Sequence, residues 1–162
     1  LPYPGGVAID RLAKEGKHSY HLPEPLKDNS LNVSYSGLKT AVINLVHKEE
    51  QNNRNIDIKD MAKSFQDTAI KELLDRVKRA TSKYDVKQVV LAGGVSANSY
   101  LREEIQNMYK DSSIDVIIPP IWCTTDNAAM IASAGYYNYM YGKRNDLSLN
   151  AKPDLKLSDM NF

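Results

Sequence analysis

Apolar side chains recur every three or four positions over a long stretch that follows Asp57, which is the spacing of one buried face of an α-helix. The recurring residues are Ile58, Ala62, Phe65, Ala69, Leu73 and Val77. Asp57 is the predicted N-cap of this helix, because a carboxylate there accepts hydrogen bonds from unpaired amides of the first turn. A second helix is predicted from Ser36, and a short one follows the Pro4-Gly5-Gly6 turn and ends at Gly16.

Two short apolar runs predict strands. Residues 89–92 and 116–118 are continuously apolar, which is typical of strands buried in a parallel sheet. The segment between them is predicted to be a helix, with Leu101, Ile105 and Met108 on one face. A strand, a helix and a strand in this order predict a layered α/β domain.

The remaining segments follow weaker patterns. Alternating residues at 31–35 predict a half-buried strand, and the polar run at 48–55 predicts a surface loop. A last helix is predicted from about residue 125 to 141, and it is rich in small residues that would allow close packing. We expect residues 1–142 to form one lobe with helical insertions and residues 143–162 to form a polar tail.

Composition and charge narrow the class of protein. The formal net charge of +1 gives no broad basic field, so bulk electrostatics do not indicate a nucleic-acid partner. The single cysteine, Cys123, cannot form an internal disulfide, and no apolar run approaches the ~18 residues of a membrane span. Both observations favour the cytoplasm. Leu1 is not an initiator methionine, so we expect the chain to be part of a longer protein.

The strongest candidate site follows the first predicted strand. Gly93 and Gly94 end that strand, and Asn98 precedes the next helix. Glycines let a ligand approach the backbone closely, and the amides of a helix N-terminus favour an anion such as phosphate. In open α/β sheets, ligands bind beyond the carboxyl ends of the strands. A tight turn in which Asn98 only caps the helix explains the same residues equally well.

Three further positions have two interpretations each. Asp126 follows the second strand, and it is either a metal or substrate ligand in a first helical turn or, more simply, a capping residue. Asp10 lies one helical turn beyond Gly6, and it either accepts hydrogen bonds from ligand hydroxyls or is solvated. Lys39 either meets a phosphate or is a surface lysine, which is the commoner case.

Other signals favour structural interpretations. His18 and His21 have metal-like spacing, but they lie in a polar loop without neighbouring ligands, so a surface pair is favoured. Four tyrosines of the last helix have the composition of a base-stacking strip, yet they point in several directions, and packing explains them at least as well. These tyrosines are Tyr136, Tyr137, Tyr139 and Tyr141. Cys123 has no obvious histidine partner, which makes a role as nucleophile weak.

Four motifs, taken together and in this order, resemble the family of tRNA threonylcarbamoyladenosine transferases, once labelled glycoproteases. The motifs are Tyr3-Pro4-Gly5-Gly6, Tyr35-Ser36-Gly37-Leu38-Lys39-Thr40, Ala92-Gly93-Gly94-Val95-Ser96-Ala97-Asn98 with Leu101-Arg102, and Thr125-Asp126-Asn127-Ala128-Ala129-Met130. Related sugar kinases and chaperone ATPases share the fold without these motifs. The resemblance implies an actin-like (ASKHA, ribonuclease H-like) α/β fold, of which this chain is mainly the C-terminal lobe.

The resemblance also implies a reaction. Such enzymes transfer the threonylcarbamoyl group from threonylcarbamoyl-adenylate to N6 of the adenosine adjacent to the anticodon in tRNAs that read ANN codons. The implied ligands are this adenylate or ATP and ADP, with one divalent metal ion per full-length subunit: iron first, with zinc or magnesium as alternatives. The implied partners are tRNA, the other subunits of the transfer complex and an N-terminal segment that this chain lacks, and no membrane is involved.

By the same resemblance, the nucleotide contacts fall on five residues and the metal ligand is Asp126. The five residues are Gly6, Asp10, Gly93, Gly94 and Asn98. The family's paired metal histidines and its Ser-Gly-Gly-His-Thr phosphate loop have no match here, so we assign no catalytic residue and expect the chain alone to be inactive. Two alternative functions are a nucleotide-binding ATPase or kinase of the same fold and a lobe that only docks partner subunits.

Overall fold

The computed structural model describes residues 1–24 and 28–156. The secondary-structure elements of this part are the helices α1 (Gly5–Ala13), α2 (Ser36–Gln51), α3 (Ile58–Lys83), α4 (Ser99–Tyr109) and α5 (Ala128–Met140), the strands β1 (Gln88–Val90) and β2 (Asp115–Ile117), and the 3-10 turns Gly94–Ala97 and Ile121–Cys123. The chain divides into two compact units, Leu1–Thr125 and a second unit that begins at Asp126. The first unit holds the mixed α/β part of the chain.

The long helix α3 begins where the sequence predicts. The Asp57 carboxylate accepts hydrogen bonds from the amides of Lys59 and Asp60, at 2.8 and 3.1 Å, so the predicted N-cap is confirmed. The predicted apolar stripe is buried only in part, since Ala62 is buried while Ile58 is exposed. The helix also buries polar side chains on its other faces, namely Ser64, Gln66, Thr68, Glu72 and Arg76. The apolar stripe therefore describes only one of the faces that α3 buries.

The two strands pair in parallel, as predicted, with Val89 opposite Val116. The prediction that both strands are fully buried is wrong, because Val90 is 60% exposed and Ile117 is 45% exposed. Val89 and Val116 pack against a core formed by α3 and α4, whereas the alternate residues of the two-stranded sheet face outward. The core of this unit consists of Ile70, Leu74, Leu101, Ile105 and Tyr109. The predicted apolar face of α4 is confirmed at Leu101 and Ile105, while Met108 is partly buried.

Residues 31–35 do not form the predicted strand. Two hydrogen bonds from side chains to backbone carbonyls, one donated by α3 and one donated by the segment, hold this segment against α3 instead of a neighbouring strand. The Arg76 Nε donates a hydrogen bond to the carbonyl of Asn32 at 3.1 Å, and the Tyr35 hydroxyl donates one to the carbonyl of Ala69 at 3.4 Å. Alternation of apolar and polar residues predicts which side chains face inward, but it does not predict which element forms hydrogen bonds with the backbone N–H and C=O groups.

Two predicted boundaries also differ. Helix α2 continues to Gln51, so only the last part of the predicted loop at 48–55 lies outside the helix. Helix α1 ends at Ala13, before the predicted end at Gly16. A Cβ atom at Gly16 would lie 2.1 Å from the backbone oxygen of Lys59, so this glycine permits the close approach of the chain to the first turn of α3.

The second unit contains α5 and the segment that follows it. Asn127 caps α5, since its Oδ1 accepts a hydrogen bond from the Met130 amide at 2.9 Å. The prediction that small residues pack closely is not met here, because no residue of α5 is buried. Residues 157–162 of the predicted tail lie outside the described residues. Within the described ranges, no helix is long and apolar enough to cross a membrane.

Candidate functional site

The N-terminus of α4 brings together two of the predicted site residues, Asp10 and Asn98. The Asp10 carboxylate, on α1, accepts a hydrogen bond from the Ser99 hydroxyl at 2.9 Å, and the Ser99 amide lies 3.3 Å from both of its oxygens. Lys14 lies 4.0 Å from the same carboxylate. The amide end of α4 therefore already receives a negative charge from this chain. The simpler interpretation expected a freely solvated Asp10, but its side chain is only 19% exposed and its carboxylate is hydrogen-bonded to Ser99.

Asn98 is the N-cap of α4, and both ends of its side-chain amide are engaged. Its Oδ1 accepts a hydrogen bond from the Leu101 amide at 2.9 Å, as the capping interpretation predicts. Its Nδ2 donates to the Oε1 of Gln66 on α3 at 2.7 Å. Each end of an asparagine amide has more than one hydrogen-bonding position, so one N–H and one lone pair of Asn98 remain for other groups.

Gly93 and Gly94 form the open side of the same site. Gly93 has a φ of +81°, which strongly favours glycine over residues with a side chain. A Cβ atom at either glycine would meet no atom within 4 Å. The Ser96 hydroxyl, which is buried, donates to the Gly93 carbonyl and closes the turn at 2.6 Å. The backbone here is thus accessible while the turn itself is fixed.

Arg102 holds this turn against the end of β2. Its Nε donates to the Ser96 carbonyl at 2.7 Å, and its Nη2 donates to the Pro119 carbonyl at 2.6 Å. The loops that follow the two parallel strands are therefore joined by one guanidinium group. Arg102 and Gln66 were not among the predicted site residues, since neither is adjacent in sequence to the groups that it bonds.

Gly6 lies on α1 one turn before Asp10, and it is exposed. A Cβ atom at Gly6 would meet no atom within 4 Å. Five of the six predicted site residues thus lie on α1, at the cap of α4, or in the turn after β1. What they share is open backbone at the glycines and partly satisfied polar groups at Asp10 and Asn98.

Asp126, the sixth predicted residue, lies in the second unit. It is exposed and precedes the N-cap Asn127, so the prediction that it belongs to the first turn of a helix is wrong. In the part of the chain that the structure describes, no group of three or more histidine, cysteine or acidic side chains is arranged to hold a metal ion. These residues do not make up a metal site, although Asp126 remains accessible as a single ligand.

A groove of about 770 Å³ runs between α3, α4 and the segment that contains His18 and His21. The Nδ1 of His18 lies 3.0 Å from a carboxylate oxygen of Asp67, and this contact accounts for His18. Tyr100 also lines the groove, and the ammonium group of Lys63 lies 4.4 Å from the centre of its ring. Burial, followed by the nearby carboxylate of Asp67, raises the pKa of the Tyr100 phenol, so this group stays protonated at neutral pH.

The other residues for which the sequence favoured a structural interpretation are Lys39, Cys123 and the tyrosines near the end of α5. Lys39 is exposed near the start of α2, and Cys123 is a partly buried free cysteine. Tyr136 and Tyr137 pack edge to face at 5.5 Å, and the guanidinium of Arg144 lies 3.8 Å from the ring of Tyr139. The tyrosines therefore interact within the second unit, through local contacts.

The comparisons with known proteins all point to the same family. The family model described as TsaD, tRNA N6-adenosine threonylcarbamoyltransferase, matches residues 1–133. The curated tRNA N6-adenosine threonylcarbamoyltransferase of Geobacillus thermodenitrificans is 48% identical over 159 residues, which cover 97% of this chain and 46% of the relative. The protein of the same name from Listeria welshimeri is 47% identical over 99% of this chain and 47% of its own length. That from Dictyoglomus turgidum is 42% identical over 98% of this chain and 48% of its own length. The chain spans about half the length of the curated relatives that it matches.

Proposed function

The chain belongs to the tRNA N6-adenosine threonylcarbamoyltransferase family, and from this premise we propose that it supplies the adenylate-contacting part of such an enzyme. The proposed reaction transfers the threonylcarbamoyl group from threonylcarbamoyl-adenylate to N6 of the adenosine adjacent to the anticodon in tRNAs that read ANN codons. The observation that carries the proposal is the meeting of Asp10 with the cap of α4, across 89 residues of sequence, beside the open backbone of Gly93 and Gly94.

The position of this site supports binding of a nucleotide. The turn at Gly93 and Gly94 follows the carboxyl end of β1, and β1 and β2 are parallel. Ligands of open α/β sheets bind at this edge. We propose an actin-like fold for the whole enzyme on the same grounds of family membership. The small parallel sheet of this chain is compatible with that fold.

Each site residue has a role that its surroundings allow. Asp10 has lone pairs beyond those that Ser99 uses, and these would accept hydrogen bonds from the ribose hydroxyls. The remaining N–H of Asn98 would bind a sugar or phosphate oxygen. Gly6, Gly93 and Gly94 would let the ligand lie against the backbone. These residues bind and orient the adenylate, which is itself a good leaving group for acyl transfer.

The phosphate-binding interpretation of the helix N-terminus needs a revision. The Ser99 amide is taken by Asp10 and the Leu101 amide by Asn98, so these two amides of α4 are not available to a phosphate. The proposed phosphate contacts therefore fall on the backbone of the glycine turn and on the remaining N–H of Asn98. A carboxylate at the helix end would also repel a phosphate placed directly upon it.

Metal binding at Asp126 is part of the proposal only as a single ligand. Within the described residues, no group of three or more candidate ligands is arranged to hold a metal ion, so Asp126 would supply one ligand only. We expect this chain, dialysed against excess Zn²⁺ or Fe²⁺ and then against buffer, to retain much less than one metal ion per chain. Elemental analysis measures this directly. Stoichiometric retention that Asp126→Asn abolishes would contradict the interpretation that the chain provides one ligand only.

The macromolecular partners follow from the proposed reaction. tRNA is the proposed acceptor substrate, and the other subunits of the transfer complex are the proposed protein partners. A cytoplasmic location is proposed because the proposed acceptor substrate is tRNA.

The test of the proposed function uses glycines whose substitution leaves the fold intact. In calorimetric titrations with threonylcarbamoyl-adenylate, ATP and ADP, we expect the parent chain to bind and Gly94→Ala to bind about tenfold more weakly, a loss of about 1.4 kcal/mol. A methyl group at Gly94 meets no atom of the chain, so the loss would come from contact with the ligand. Gly5→Ala, which also meets no atom, is the matched control and should bind as the parent does. Equal binding by all three proteins would contradict the proposed site.

A further inference from the structure

Gln66 is a buried amide in the middle of α3, and its surroundings require an explanation. Only 4% of the residue is exposed. An amide removed from water costs free energy unless it is hydrogen-bonded, so a glutamine is unfavourable at a position that could hold an apolar side chain. Its Oε1 accepts a hydrogen bond from Asn98 Nδ2 at 2.7 Å, across 32 residues of sequence. The buried polar group of α3 is thus used to hold one side chain of the α4 cap.

The contact with Gln66 determines how Asn98 is oriented. As the cap of α4, Asn98 needs its Oδ1 directed at the Leu101 amide, at 2.9 Å. That single bond leaves the plane of the amide group free to tilt about the bonded oxygen. The second bond, from Nδ2 to Gln66, fixes the plane, and with it the direction of the N–H that remains.

We infer that Gln66 is a positioning residue for ligand binding: it fixes the Asn98 amide so that its unused N–H is presented in one direction beside the glycine turn. This inference rests on the proposed function, because it deepens the account of the same adenylate site. Gln66 is too buried to touch a ligand itself, so it acts through Asn98. A freely tilting amide would have to be ordered when the ligand binds, whereas the fixed amide is ordered beforehand.

Two substitutions separate positioning from simple packing. Gln66→Leu keeps the approximate volume and removes the acceptor. Gln66→Glu also keeps the approximate volume and retains an oxygen that accepts from Asn98 Nδ2. A purely structural role at a buried position predicts that the charged variant is the worse of the two, because burying a carboxylate costs more than burying a methyl group. A positioning role predicts that the glutamate variant binds ligand better than the leucine variant.

The first measurement needs no ligand. In NMR spectra of the full chain, the side-chain amide protons of Asn98 are identified by their loss in Asn98→Ala. We expect one of them to exchange with solvent about tenfold faster in Gln66→Leu than in the parent, and to keep the parent rate in Gln66→Glu. Parent-like chemical shifts and exchange of this group in Gln66→Leu would overturn the inference, whatever the chain binds.

The second measurement is the affinity for ADP, determined by calorimetry for the same proteins. We expect Gln66→Leu to bind about tenfold more weakly than the parent and Gln66→Glu to bind within about twofold of the parent. Parent-like affinity in Gln66→Leu would also overturn the inference. If the parent chain does not bind ADP, the proposed function loses its nucleotide site in this chain, while the exchange of the Asn98 amide still decides the role of Gln66.

Discussion

Replacing Asp10 by alanine removes the carboxylate that joins α1 to the N-terminus of α4. In the folded protein this group accepts from the Ser99 hydroxyl at 2.9 Å and lies 3.3 Å from the Ser99 amide. A hydrogen bond to a charged group contributes about 1.5–3 kcal/mol, and an acidic group at a helix N-terminus contributes about 0.3–1 kcal/mol through the helix dipole. The Asp10 side chain is 19% exposed, so partial solvation reduces the value. We expect Asp10→Ala to lower the free energy of unfolding by about 2 kcal/mol.

Two matched variants show which part of Asp10 produces this effect. Asp10→Asn retains one acceptor without the charge, and it should lower the free energy of unfolding by about 1 kcal/mol. Lys14→Ala removes only an ion pair at 4.0 Å from a lysine that is 61% exposed, and it should cost below about 0.5 kcal/mol. Urea unfolding followed by far-ultraviolet circular dichroism measures all three, with no ligand present. If Asp10→Ala and Lys14→Ala are equally mild, Asp10 does not anchor α4 and is held only by the surface ion pair.

Gly16→Ala should destabilise the protein by about 3 kcal/mol, because the added Cβ would lie 2.1 Å from the backbone oxygen of Lys59 and the backbone must move. Thermal unfolding measures the loss, and an unchanged midpoint would show that the two segments do not approach so closely. A hydrogen bond from the Lys17 amide, followed by one from a neighbouring serine, holds the pKa of Asp60 below its ordinary value. Its ionised form therefore stabilises the fold at pH values above the ordinary pKa of an aspartate, and this contribution is lost as the pH falls through the lowered pKa. Asp60→Asn should make the decline of stability in acid shallower, and urea unfolding at a series of pH values measures this slope. A slope equal to that of the parent would contradict this account of Asp60.

Local patterns predicted the elements whose determinants are local. The cap at Asp57 depends on amides two and three residues further on, and the face of α4 depends on apolar residues four positions apart at Leu101 and Ile105. The parallel pairing of the strands also follows from their order along the chain with a helix between them. These features need little information about the rest of the molecule, and the sequence was sufficient for them.

Features that depend on distant partners were predicted less well. Residues 31–35 alternate as a strand would, yet Arg76 on α3 satisfies the Asn32 carbonyl in place of a strand. The apolar runs of β1 and β2 suggested burial on both faces, but the described part of the chain covers one face only, as Val90 and Ile117 show. Periodicity predicts that a face will be buried, and it does not state what will bury it.

The candidate site shows the same division. Gly93, Gly94 and Asn98 were predicted because glycines after a strand and a capping residue before a helix are adjacent in sequence. The partners that hold them, Gln66 and Arg102, lie on helices, and a single sequence gives no signal that pairs Gln66 with Asn98 over 32 positions. For Arg102 the sequence did offer an indication, because this residue belongs to the third motif of the family resemblance.

Substitutions at the polar residues of the site, Asp10 and Asn98, differ in their expected effects from substitutions in the glycine turn. The reason is that the side chains of Asp10 and Asn98 already make hydrogen bonds within the protein. A carboxylate has about four lone-pair positions, and Asp10 uses some of them to accept from the amide and the hydroxyl of Ser99. Substitution of Asp10 or Asn98 therefore removes hydrogen bonds within the protein together with any contact to the ligand. Such a substitution is expected to lower both the stability of the protein and its affinity for the ligand. The glycine turn has no such double role, since a methyl group at Gly94 meets nothing in the chain. If a substitution at Gly94 lowers affinity and leaves the unfolding curve unaltered, the loss comes from contact with the ligand, so this glycine gives the most direct test of the proposed adenylate site.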